Sequence, residues 1–221
     1  MTVPTSAAMA GYVFRRAGRR EIRTPIVRGT EGVHYADGAR HAQIDPHFGV
    51  LRVRMAGPTD QGEVLFGTFD PDLQWSAAAE IRCAFCGRPD THDADGRMWV
   101  IPRPRVFGLS AATHLDTTTP PVCSTNCLRS CLTGCPRLRA RSIVLRAKTA
   151  APIGVLGIVH GTSDRPVTEG LTYVPLRGDD RLEHTVAHFL TLRVRDLTEI
   201  SLTSLGITDV SPRSSDPRCR P

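Results

Sequence analysis

The stretch "CAFCGRPDTHDADGRMWV", from Cys83 to Val100, decides the fold of this 221-residue chain. Cys83 and Cys86 form a C-x₂-C pair, and Gly87 follows where a tight ligand-bearing turn needs an unusual backbone angle. A single tight turn of this kind presents two sulfur atoms, which is half of a tetrahedral metal site. The sequence therefore requires a second pair of ligands elsewhere in the chain.

The second pair is predicted in "PPVCSTNC", which runs from Pro120 to Cys127. Cys123 and Cys127 would complete a set of four thiolates, the donor set of a structural Zn²⁺ site. Ser124 or Thr125 can cap a helix that starts there, and Cys127 would then lie in the first turn, where free N–H groups stabilise a thiolate. A knuckle followed by a helix-borne pair is the layout of a treble-clef zinc module.

Other ligands and another metal remain open. A glycine and a proline flank Cys135 and end the predicted helix, so Cys135 can fold back and substitute for Cys127 as the fourth ligand. Cys131 is expected to be a small buried hydrophobe. His92 and His114 are rival ligands with weaker support. The close run of cysteines from 123 to 135 also leaves an iron–sulfur cluster open, although no ferredoxin-type spacing is present.

Composition indicates a reduced, non-exported protein. No apolar run approaches the ~20 residues that a membrane helix needs, and the basic residues of the first stretch follow its apolar part, where a secretory signal would have them first. Spaced cysteines in such a chain indicate metal ligands before disulfides. We therefore expect a cytoplasmic protein with no membrane contact.

The order of apolar and polar segments predicts an α+β fold with mixed or antiparallel β segments, a C-terminal helix and an inserted treble-clef-like zinc module. We expect a basic, flexible arm over residues 1–45, a domain over 46–205 that contains the module at 80–137, and a disordered tail over 206–221. Alternation and turn residues predict the strands. These are Val50–Met55 with Val64–Phe69 as its partner, Ser142–Arg146, Ile153–Val159, Leu171–Leu176 and Leu197–Leu202.

The C-terminal helix is predicted around residues 182–190. Asp180 and Glu183 are three apart, as in a capping box, and apolar residues follow at helical spacing. His184 and His188 are four apart, like the ligands of HExxH proteases, but Glu183 precedes the first histidine instead of following it. The helical period places both histidines on the solvent face.

Basic residues suggest a partner. The net charge is +6, and 27 of the 28 basic residues are arginines, whose planar fork binds phosphate well. They cluster at Arg15–Arg23 and at Arg137–Lys148. A solvated surface is the alternative, because a charge run alone is a weak signal. The residues predicted to contact nucleic acid are Arg137, Arg139, Arg141, Arg146, Arg15, Arg16, Arg19 and Arg20.

The order "CAFCGRP … DGRMWVIP … TTTPPVC … C … CPRLR" resembles a family of small uncharacterised actinobacterial proteins with a zinc knuckle. The resemblance covers roughly residues 80 to 205 and implies a bacterial cytoplasmic protein with a metal-bound knuckle. The extra residue between Cys123 and Cys127 departs from the family's tighter spacing. The resemblance implies no activity. It is carried by Cys83, Cys86, Cys123, Cys127 and Cys135.

These observations favour a non-enzymatic, zinc-binding regulatory protein that contacts nucleic acid through its arginine-rich segments. The alternative is a protein–protein interaction module stabilised by structural zinc. A third class is a metal-dependent hydrolase or nuclease, with His92 or the His184/His188 pair as catalytic groups. Four cysteines close the metal shell, whereas catalytic zinc keeps a position open. The sequence therefore leans away from an enzyme.

Overall fold

A computed structural model describes residues 11–29, 32–38, 44–89, 94–102, 113–134, 136–161, 168 and 170–207. Helices and strands are mixed in this part of the chain and strands dominate, as the α+β prediction requires. The helices are α1 (Pro71–Ala79), α2 (Thr125–Gly134) and α3 (Pro136–Arg141), with 3₁₀ turns at Leu182–His184 and Thr203–Leu205. The strands are β1 (Phe14–Arg16), β2 (Arg20–Glu21), β3 (Ile26–Gly29), β4 (Gly32–Tyr35), β5 (Leu51–Arg52), β6 (Met55–Ala56), β7 (Val64–Phe69), β8 (Arg97–Pro102), β9 (His114–Thr117), β10 (Ser142–Val159), β11 (Thr172–Pro175) and β12 (Thr185–Ile200).

Two long antiparallel strands, β10 and β12, form the centre of a six-stranded sheet. β8 and β11 pair with β10, whereas β5 and β9 pair with β12. The predicted strands at 142–146 and 153–159 are thus two parts of one strand. Pro152 lies where the register with β12 shifts, a place where the missing N–H of proline is tolerated.

The predicted C-terminal helix is wrong: residues 185–200 form β12, and only Leu182–His184 has a helical turn. Leu190, Leu192 and Val194 alternate along β12 and are fully buried. The same residues partly satisfy a helical period, but β10 offers a full-length partner for their backbone. Of the predicted closing strand at 197–202, residues 197–200 form the end of β12 and residues 201 and 202 lie outside it.

The prediction of a loose N-terminal arm is wrong for the described residues 11–29 and 32–38, which contain β1 to β4. β1 pairs with β7, and β2 pairs with β6. The predicted pairing of the segments at 50–55 and 64–69 is also wrong, because β5 pairs with β12 and β6 pairs with β2, whereas β7 pairs with β1. Val13 and Phe14 are buried, so the segment is part of the core.

Helix α1 was not predicted from the sequence, although the sequence contains its start signal. Asp70 caps it by accepting hydrogen bonds from the backbone N–H groups of Asp72 and Leu73, and Pro71 occupies the first helical position. Gln74 on this helix is fully buried, and its amide hydrogen-bonds to both the N–H and the C=O of Leu190. The helix is thereby fixed to the middle of β12.

Apolar residues pack on both faces of the sheet around β8. Met98 and Val100 face the cluster that holds the cysteine region, whereas Trp99 and Ile101 face a second cluster with β10. Strands buried on both faces carry continuous apolar runs. The cysteine region therefore lies against the main core.

No helix among the described residues has the length and apolar character to cross a membrane.

Candidate metal centre

The first cysteine pair lies on a tight turn held by its own backbone. The N–H of Cys83 donates to the carbonyl of Arg88, and the N–H of Gly87 donates back to the carbonyl of Cys83, each at 2.9 Å. Gly87 has a φ of +69°, and a Cβ there would lie 2.6 Å from the ring of Tyr12. Only glycine allows both the turn and this close approach.

The second pair is joined to the first by backbone contacts. The N–H of Ala84 donates to the carbonyl of Pro121 at 2.7 Å, and the N–H of Cys123 points at the Cys83 sulfur at 3.4 Å. The N–H of Cys127 donates to the Ser124 hydroxyl at 3.2 Å, which is the predicted helix cap. Cys127 thus lies in the first turn of α2.

The four thiol sulfurs of Cys83, Cys86, Cys123 and Cys127 all lie within 4.8 Å of one another. The sulfur of Cys123 is 3.6 Å from that of Cys86 and 3.6 Å from that of Cys127. A disulfide has its sulfur atoms about 2.05 Å apart, and all four cysteines are free. This group can hold a metal ion.

Burial disfavours the charged form of all four thiols. It raises the pKa of Cys83 to about 12 and those of Cys123 and Cys127 to about 11. Burial also opposes ionisation of Cys86, but hydrogen bonds from the Arg88 N–H and the neighbouring thiols outweigh it, so the pKa of Cys86 lies below its ordinary value. A divalent ion would supply the positive charge that lets all four ionise together.

The other candidate ligands do not join this group among the described residues. Cys131 is buried in the adjacent apolar cluster, as a small hydrophobe would be. His114 lies on β9 and is exposed. Cys135 and His92 lie outside the described residues.

A treble clef is not shown. In that module a hairpin separates the two ligand pairs, but here the two intervening strands, β8 and β9, do not pair with each other. β8 pairs with β10, and β9 pairs with β12. The two strands therefore lie at opposite edges of the ribbon that β10 and β12 form, which we call the central ribbon. The described strands between the two cysteine pairs therefore belong to the main sheet.

The N-terminal segment supports the knuckle, which the sequence analysis missed. The N–H groups of Tyr12 and Val13 donate to the carbonyls of Phe85 and Ala84 at 2.7 and 2.9 Å. The apolar run just before the basic cluster could have predicted this contact. The arginines that follow it led to the prediction of an exposed arm instead.

Several arginines predicted to bind nucleic acid serve the fold. Arg19 is only 6% exposed and pairs with Asp70 at 2.6 Å and with Asp72 at 2.7 Å, so its assignment to a nucleic-acid surface is wrong. Arg15 is half-buried, and its Nε donates to the carbonyl of Arg19. Arg16 donates to the carbonyl of Gly62. The structure does not bring this cluster together as a free basic surface.

The other predicted arginines differ in exposure. Arg141 ends α3 and is exposed, as is Arg20 on β2. Arg139 is half-buried, and so is Arg146, which donates to the carbonyl of Gly96 at 3.2 Å. The side chain of Arg137 lies outside what the structure describes.

The histidine pair does not form a site. His188 is only 9% exposed, so its prediction on a solvent face is wrong, and its Nε2 lies 3.5 Å from a Glu21 carboxylate oxygen. His184 Nε2 lies 2.9 Å from a guanidinium nitrogen of Arg28. Each histidine therefore has its own partner.

Comparison of the chain with protein-family models, with curated proteins and with solved structures found no match.

Proposed function

We propose that the chain is a non-enzymatic zinc-binding protein whose Zn²⁺ is structural. The supporting observation is the four-cysteine group with its sulfur–sulfur separations of 3.6 Å. A Zn–S bond of about 2.3 Å puts tetrahedral sulfur atoms about 3.8 Å apart. Four thiolates fill the coordination shell, which leaves no position for a reacting water.

The zinc ion would join segments that are distant in sequence. Cys83 and Cys86 belong to the knuckle that the N-terminal segment covers, and Cys127 belongs to α2. Cys83 is fully buried in the cluster that also contains Val144 of the central strand. Metal binding would therefore contribute directly to the free energy of folding.

Cysteine variants test this role against mere burial. Cys86→Ser and Cys123→Ser should abolish zinc binding and lower the melting temperature to that of the chelated wild type. Cys131→Ala is the control, because Cys131 is buried beside the site but lies outside the group. Retention of one zinc ion per chain in both serine variants would contradict the proposal.

A second candidate function is contact with nucleic acid. It is supported by the absence of any acidic residue from 117 to 161, a span that contains α2, α3 and β10. Arg129, Arg141 and Lys148 in this span are exposed. Exposed basic side chains of this kind would bind phosphates with little sequence preference and would suit a regulatory protein.

Salt dependence tests this candidate. A triple variant with Gln at 129, 141 and 148 should lose affinity for a random-sequence duplex and flatten the plot of log affinity against log salt by about 3 in slope. The control carries the same charge change at Arg23, Arg88 and Arg177, which are exposed elsewhere. Equal affinities of the two triple variants would reject a contact role for Arg129, Arg141 and Lys148, and a wild type that binds no duplex would reject this candidate function.

A further inference from the structure

A cavity of about 440 Å³ lies between β7, β8, α3 and the central ribbon, beside the cysteine group. Its lining includes Ala84 of the knuckle and Val122, which precedes the second cysteine pair. Cavities that bind small molecules in proteins have volumes of about 300–1,000 Å³. The volume therefore suits a small organic ligand, and the metal centre would fix one side of the cavity.

Aromatic rings form one wall of this cavity. The ring centroid of Phe14 is 5.2 Å from that of Phe66 and 5.5 Å from that of Phe69, and Phe69 is 6.4 Å from Phe189. These spacings are those of packed aromatic pairs, so the wall is preformed. Aliphatic side chains complete the apolar lining. They are Val100, Leu138, Leu156 and Leu171.

The polar groups of the lining indicate the charge of the ligand. Arg141 lines the cavity, and no aspartate or glutamate is among the lining residues that the structure describes. The hydroxyl of the next residue, Ser142, is buried without a hydrogen-bond partner in the described structure. A buried hydroxyl without a partner is costly, and the guanidinium of a neighbouring lining residue suits a carboxylate. These two lining residues therefore match a single anionic group.

We propose that this cavity binds a small monocarboxylate with an aliphatic or aromatic body. The body lies against the phenylalanine wall, and the carboxylate accepts hydrogen bonds from Arg141 and Ser142. This function goes beyond zinc binding and nucleic-acid contact, since neither uses the apolar lining, although Arg141 is shared with the nucleic-acid candidate.

Three ligands with eight carbon atoms each and different head groups test the proposal: octanoate, 1-octanol and octylamine. Calorimetric titration of the metal-loaded full chain should show octanoate binding about tenfold more tightly than the other two. Arg141→Gln should lower the affinity for octanoate to that for octanol. Arg23→Gln removes the same charge from an exposed position outside the lining and should leave octanoate binding unchanged.

A second variant tests the location. Thr68 is an exposed residue of the lining, so Thr68→Trp should fill the cavity and abolish octanoate binding while the melting temperature stays unchanged. Thr59→Trp, on an exposed turn outside the lining, is the control. The proposal is overturned if the wild type does not bind octanoate, if the three ligands bind equally, or if Thr68→Trp binds octanoate as the wild type does.

Discussion

Replacing Arg19 with methionine tests whether the N-terminal segment belongs to the fold. The guanidinium of Arg19 pairs with Asp70 through contacts of 2.6 and 3.2 Å and with Asp72 at 2.7 Å. Asp70 is fully buried and also caps α1. Arg19→Met keeps most of the side-chain volume but leaves the Asp70 carboxylate buried without its counter-ion.

The expected loss of stability depends on the hydrogen bonds that Asp70 retains in the variant. Breaking a buried ion pair by removing one partner costs about 3–5 kcal/mol. Asp70 retains hydrogen bonds from the N–H groups of Asp72 and Leu73, so the lower end applies. We expect a loss of about 3 kcal/mol, or a fall of about 6–12 °C in melting temperature for a chain of this size.

Urea unfolding of the metal-loaded protein, followed by circular dichroism, measures this loss. Arg20→Met is the matched control: Arg20 is the next residue and is exposed, so its loss should change the free energy of unfolding by no more than about 0.5 kcal/mol. If both variants unfold at the wild-type urea concentration, the burial and pairing of Arg19 described above are refuted.

Three further perturbations test particular contacts. Gly87→Ala should cost about 2–4 kcal/mol, because the positive φ is strained and the new Cβ meets Tyr12. Gly178→Ala, which has a φ of +71° but open space around it, should cost only about 1 kcal/mol in the same urea assay, and equal losses would argue against the Tyr12 contact. Gln74→Met should cost about 3 kcal/mol, because it leaves buried backbone groups of β12 unpaired; a midpoint like that of the wild type would contradict this. Burial raises the pKa of Tyr35 to about 12, so its contribution to stability is complete below about pH 10 and is lost as the pH rises through 12. Tyr35→Phe should therefore show a smaller loss of stability between pH 10 and pH 12 than the wild type, and identical pH profiles would show that the ionisation is not coupled to folding.

The cysteine group could be predicted from the sequence because its signal is local. Two short spacings name Cys83, Cys86, Cys123 and Cys127, and the structure brings their sulfurs together. The cap of α2 is also local, since Ser124 lies three residues before Cys127. The partners of the strands between the two cysteine pairs could not be predicted, because the pairing of β8 with β10 and of β9 with β12 depends on distant segments.

The errors have the same physical origin. The period of apolar residues in 182–190 satisfies both a helix and a strand, and a tertiary partner, β10, decides in favour of the strand. The arginines near the N-terminus look like a solvated arm in sequence. In the structure Arg19 is buried because it pairs with the carboxylate of Asp70, which lies 51 residues later in the chain. Asp70 itself carries no sequence signal for this pairing.

Metal content with a thiol count tests the central claim most directly. We predict one zinc ion per chain and four thiols that become reactive together when a chelator removes it, which matches the four-cysteine group. Visible absorption and bound iron would contradict zinc. Protein without metal, in which these four thiols react freely before chelation, would contradict the metal centre itself.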